Sequence, residues 1–104
     1  MKYRKKPVVI EAFQMTREHR ADNSEWPNWL HEAWNKDSEP GALLIDADDP
    51  ARDRLVIFTL EGVQRIEWDD FIIQGVQGEL YPCKPDIFGA TYEPVARAEE
   101  GGEE

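Results

Sequence analysis

The sequence predicts an α+β fold: a small curved antiparallel sheet, open or partly closed into a barrel, covered by one amphipathic helix. Three observations carry this expectation. Trp26, Trp29, Leu30, Ala33 and Trp34 recur at the spacing of one helical face. Beyond Gly41 the pattern changes to short apolar runs divided by turn residues, as in Leu55 to Leu60 and Phe71 to Gln74. Eleven aromatic residues among 104 give a chain of this size enough large side chains to build one core without a disulfide or a metal.

The elements follow in order. Pro7 to Met15 is rich in β-branched and aromatic residues, and Pro7 suits the first position of a strand, so this stretch predicts strand one. Thr16 to Asn23 is polar and charged and reads as a solvated connection. Ser24 is a suitable N-cap, with Glu25 in the first turn and Pro27 near the N-terminal end of the predicted helix. A tryptophan-rich stripe at helical spacing belongs to a core far more often than to a ligand cage. Pro40 and Gly41 end the helical segment.

Ala42 to Ile45 predicts a short strand, and Asp46 to Asp53 a loop. Leu55 to Leu60 and Val63 to Trp68, joined at Glu61-Gly62, predict a hairpin. Phe71 to Gln74 and Glu79 to Pro82 predict a second one around Gly75 to Gly78. Ile87-Phe88 and Thr91 to Val95 read as closing strands. The expected organisation is one domain over residues 1–96, with an acidic disordered tail at 97–104 that has little to bury.

Charge narrows the functional classes. The net charge is −10, yet residues 1–6 carry +4, and residues 7–96 hold seven basic and eighteen acidic side chains, a net of −11. Such a body repels nucleic-acid backbones and anionic membrane surfaces and attracts basic partners. No apolar run approaches the length that crosses a bilayer, and the basic opening is followed by too short an apolar stretch for a signal peptide. Cys83 is the single cysteine, so an internal disulfide is impossible, which fits a reducing cytosol.

The opening Met1-Lys2-Tyr3-Arg4-Lys5-Lys6-Pro7-Val8-Val9-Ile10-Glu11-Ala12-Phe13-Gln14 and the closing Tyr81-Pro82-Cys83-Lys84-Pro85-Asp86-Ile87-Phe88, with Thr91-Tyr92-Glu93, are the distinctive segments. Together with Thr59-Leu60-Glu61-Gly62 and Gly75 to Glu79, they resemble the PGDYG-motif proteins of phages and prophages, a family mostly of unassigned function. The resemblance spans most of the chain, leaving out the Asp46 to Asp53 loop and the tail. It implies a phage or prophage protein working in the cytoplasm of a bacterial host. In place of the family's Pro-Gly-Asp-aromatic run this chain has Trp68-Asp69-Asp70-Phe71. Without the Pro-Gly pair the bend before the strand is either looser or supported by aspartate, which puts in doubt any ligand held by that turn's backbone.

Candidate binding residues form two sets. Asp69 and Asp70 beside Trp68, with Glu79 and Tyr81 on one side of a neighbouring strand, are expected to line a small polar cleft. Asp46, Asp48 and Asp49 form an acidic loop that lacks the glycine and terminal glutamate of an EF-hand, so a solvated turn is its plainer reading and no metal is expected. Cys83 has neither His19 nor His31 near it in sequence, and no phosphate loop, serine elbow or zinc motif is present. These features point away from an enzyme or a bound cofactor and toward stoichiometric binding of a protein with a basic surface. A small-ligand or nucleotide-binding module and an acidic mimic of nucleic acid are the alternatives.

Overall fold

Short apolar runs beyond Gly41 and the strand near the N-terminus assemble into two three-stranded antiparallel sheets, with helices packed around them. The computed structural model describes residues 1–4 and 7–95. The first sheet contains β1 (Glu11–Gln14), β5 (Phe71–Gln74) and β6 (Leu80–Cys83), in the order β1-β5-β6. The second contains β2 (Leu43–Ile45), β3 (Leu55–Thr59) and β4 (Gly62–Ile66), in that order. The helices are α1 (Arg17–Ala21), α2 (Asn28–Trp34) and α3 (Pro85–Thr91). The α+β class and the antiparallel pairing are therefore present. The strands divide into two sheets without closing a barrel.

Three local differences from the sequence reading have physical causes. β1 is four residues long because its partner β5 is: Glu11 pairs with Gln74, and Gly75 then enters the hairpin turn. The predicted connection after Met15 contains α1, capped by Thr16, whose Oγ1 accepts the His19 N–H at 3.0 Å. This helix buries no residue, so it leaves no apolar period in the sequence. The predicted closing strands at 87–95 are also corrected. Residues 85–91 form α3, with Pro85 in the first turn, Asp86 beside it and the Phe88 N–H donating to the Lys84 carbonyl at 2.8 Å.

The main helix starts later than Ser24. Asn23–Glu25 forms a single 3₁₀ turn whose Ser24 N–H donates to the Asp22 side chain, and α2 begins at Asn28 with Pro27 in the capping position. Trp26 precedes Pro27 and stays extended, at φ −63° and ψ 135°, because the proline ring disfavours helical backbone in the residue before it. Leu30, Ala33 and Trp26 are buried, whereas Trp29 and Trp34 pack against the core with partly exposed rings. The Trp26 indole N–H donates to the His19 carbonyl at 2.7 Å, which ties α1 to the segment entering α2.

The core lies between α2 and the inner faces of both sheets. Leu43, Leu55, Ile57 and Ile66 come from the second sheet, and Ile72 and Leu80 from the first. Strand alternation directs Phe71, Ile73 and Tyr81 to the opposite face of the first sheet. There Phe88 of α3 stacks on Phe71 with centroids 3.9 Å apart and 7° between planes. The β3–β4 turn is Leu60-Glu61, and Gly62 opens β4 at φ 123°, a conformation that favours glycine. Among the described residues no helix is long and apolar enough to cross a membrane. The tail expected at 97–104 lies outside the described residues.

Candidate functional site

The acidic loop after β2 is organised by its own carboxylates. Asp46 is buried; its Oδ1 accepts the Asp48 N–H at 3.0 Å, and its Oδ2 accepts from Arg65 Nε at 2.8 Å. Asp48 is outward, with 87% of its side chain exposed and Arg65 3.9 Å away. The Asp49 carboxylate accepts backbone N–H groups of Ala51, Asp53 and Arg54 at 3.2, 3.0 and 2.8 Å. These bonds, the one from Arg54 foremost, hold its carboxyl pKa below the usual aspartate value of 3.8. A depressed carboxyl pKa stabilises the folded loop above the unfolded value, and that stability is lost as pH falls through the folded one. Protection of the Arg54 and Asp53 amides, relative to the intrinsic exchange rate at each pH, is therefore expected to fall below pH 3.8, and in Asp49→Asn at neutral pH. Unchanged protection in both experiments would contradict this role.

The turn before β5 is supported by aspartate. The Asp70 N–H donates to the Glu67 carbonyl at 3.1 Å, and Asp69 sits at φ 73°. Asp70 Oδ2 accepts the Glu67 N–H at 2.9 Å and lies 3.5 Å from Lys84 Nζ. Its Oδ1 is buried without a partner. Trp68 projects from this turn toward α1, where the Arg17 guanidinium lies 4.6 Å from its ring centroid. Because Asp69 occupies a left-handed conformation, Asp69→Gly is expected to stabilise the fold by about 0.5 kcal/mol, and Asp69→Val to destabilise it by more than about 1 kcal/mol. Urea midpoints of the two variants check the sign at each.

The expected cleft uniting Asp69, Asp70, Glu79 and Tyr81 does not form. Phe71 pairs with Cys83 and Gln74 with Leu80, so the two aspartates and Glu79 stand at opposite ends of the β5–β6 hairpin. Residue alternation places side chains on a face, but register fixes their position along it. Glu79 Oε1 accepts the Gln77 N–H at 3.0 Å, and its carboxylate folds over Gly75, where a Cβ would collide with Oε2. The Tyr81 phenol is pushed up to about 12 by burial first, then by the neighbouring Tyr92 phenol and the nearby charge of Glu79.

Glu79 and Tyr81 instead line an open groove of about 620 Å³ between the tips of the two hairpins. Phe58, Leu60 and Leu80 supply apolar surface, while Glu61, Glu79 and Lys36 supply charge. Leu60, 86% exposed, and Glu61 occupy the β3–β4 turn, and sequence reasoning did not select either for binding. The signal available for them was a leucine in a polar hairpin turn.

The remaining reactive groups are held apart. Burial, reinforced by Asp70 and Asp86, raises the Cys83 thiol pKa and keeps it protonated at neutral pH. His19 Nδ1 lies 2.8 Å from the Gln14 carbonyl, and His31 packs against Trp26 with ring centroids 5.6 Å apart. His19 is half-buried on α1, not in a loop. Among the described residues no three His, Cys, Asp or Glu side chains converge on a metal-sized space. Asp46, Asp49 and Asp70 accept bonds from neighbouring backbone N–H groups and so shape their own loops.

The fold and its surface thus define a small α+β protein with an open groove between two hairpin tips. Comparison with protein-family models, curated proteins and solved structures finds no match to the chain.

Proposed function

We propose that the chain is a phage or prophage accessory protein that acts in the bacterial host cytoplasm by stoichiometric binding of a protein with a basic surface. The phage assignment rests on the resemblance of the opening and closing segments. The observation that carries the binding mode is the groove between the hairpin tips, where exposed Leu60 and partly exposed Phe58 and Tyr81 lie beside Glu61 and Glu79. Apolar surface rimmed by charge is the arrangement of protein contact sites, and the net of −11 over residues 7–96 steers a basic partner toward them.

A small-molecule reading draws on one observation: about 620 Å³ falls within the range of ligand pockets. The test is capture from host and infected cells with the wild-type chain and with Leu60→Ser/Glu61→Gln, followed by titration of the purified partner. Saturation near equimolar, slowed by salt and lost in the double variant, supports the protein reading. A metabolite released on denaturing the captured chain, or conversion of a substrate by catalytic amounts, overturns it.

A further inference from the structure

A second surface feature lies on α1, separate from the groove and opposite in charge. Arg17, Arg20 and Ala21 share one side of this short helix, since residues three and four apart are neighbours there. The Arg17 guanidinium stacks on Trp68 at 4.6 Å from the ring centroid. Arg20 donates through Nε to the Asp53 carbonyl at 2.7 Å and through a terminal nitrogen to the Arg52 carbonyl at 3.4 Å, and it lies 5.5 Å from the Trp34 ring centroid. Both guanidiniums are thereby oriented by neutral groups. Among the described residues, neither has a carboxylate oxygen within 4.0 Å.

Two arginines without acidic partners are unexpected where carboxylates outnumber basic side chains 22 to 12. Both line one recess of about 200 Å³, walled by Trp68. Asp53 also borders it, but its carboxylate pairs with neither arginine, and its contribution to Arg20 is the backbone carbonyl. Arg17, stacked on Trp68, keeps its planar fork of donors available for an oxyanion and loses little freedom on binding, whereas Arg20, whose Nε and one terminal nitrogen are taken by the Asp53 and Arg52 carbonyls, adds its charge and its other terminal nitrogen. Two positive charges at one recess match a phosphate group, which carries about −1.5 to −2 at neutral pH, better than a single carboxylate.

We propose that the Arg17–Arg20–Trp68 recess binds a phosphate group, either inorganic phosphate or the phosphate of a small monoester. A neighbouring recess of about 240 Å³ beyond Arg20, bordered by Asn23, Trp34 and the carboxylate-bearing Asp22, gives the neutral organic part of a monoester a place to lie. The acidic body does not forbid this, because beyond about 8 Å its field is screened at physiological salt, while the guanidiniums touch the anion directly. The site is independent of the hairpin-tip groove, so either can fail alone.

The test titrates the full chain with inorganic phosphate and with adenosine monophosphate at constant ionic strength, following tryptophan emission and ³¹P line width. Saturable binding of at least one probe is expected, weakened about tenfold in Arg17→Gln, partly retained in Arg17→Lys and unchanged in Lys2→Gln. Equal affinity for the two probes identifies free phosphate as the ligand, and tighter binding of the monophosphate identifies a monoester. Failure of both probes to saturate, or equal binding by wild type and Arg17→Gln, overturns the proposal.

Discussion

Replacing Leu30 with alanine is expected to lower the unfolding free energy by about 3 kcal/mol, within the range measured for leucine truncation in packed cores. Leu30 has 0% exposure and sits mid-way along α2, facing the core that both sheets line. The loss combines the transfer energy of the deleted carbons with the cavity they leave, and a domain with a total stability of about 5–15 kcal/mol feels it strongly. Urea unfolding with an unchanged slope and a lowered midpoint is the expected record. Trp29→Ala, also on the stripe, should cost less than the full penalty of a buried tryptophan, because part of its ring is exposed. Its indole N–H is buried without a partner, so Trp29→Phe should be close to neutral. A Leu30→Ala midpoint equal to wild type would contradict the placement of α2.

The α2 stripe and the two hairpins were legible in the sequence because each buries one face, and burial writes a period into the chain. α1 has no fully buried residue, so Arg17–Ala21 leaves only its Thr16 cap as a signal. The α3 segment reads as a strand through Ile87 and Phe88, whereas Pro85 and Asp86 specify a helix start that local chemistry enforces. Ile87 is in fact 55% exposed, and only Phe88 of that pair packs against the sheet. Division into two sheets was not legible, since strand order depends on contacts between distant residues.

The candidate site was legible in part. Glu79 and Tyr81 do border a groove, but their partners there are Phe58 and Leu60, brought from β3 and its turn by tertiary packing. The aspartates chosen for binding are the ones the fold uses most: Asp46, Asp49 and Asp70 each accept bonds that shape a loop. Composition counts carboxylates without revealing which way they turn. Arg17 and Trp68, 51 positions apart, meet only because α1 and the turn before β5 are joined through Met15, whose N–H and carbonyl pair with Asp70 and Asp69.

Asp70→Ala is expected to cost about 2–3 kcal/mol, the scale for losing a hydrogen bond to a charged group inside a protein. Asp70 is 2% exposed, and its Oδ2 satisfies the Glu67 N–H at 2.9 Å, a donor that alanine would leave without an acceptor. The Lys84 ammonium at 3.5 Å is about half exposed, so solvent takes over its hydration and the ion pair itself adds little. Oδ1 works against the native residue, because a buried carboxylate oxygen without a donor keeps part of its desolvation penalty. Asp70→Asn separates the two effects. It retains an acceptor for Glu67 while removing the charge, and is expected to be at least about 1 kcal/mol more stable than Asp70→Ala. Urea unfolding of the two variants, with amide exchange at Glu67 as a local reading, tests this ordering. Equal stability of the alanine and asparagine variants, or a Glu67 amide as protected in Asp70→Ala as in wild type, would show that the carboxylate does not hold the turn.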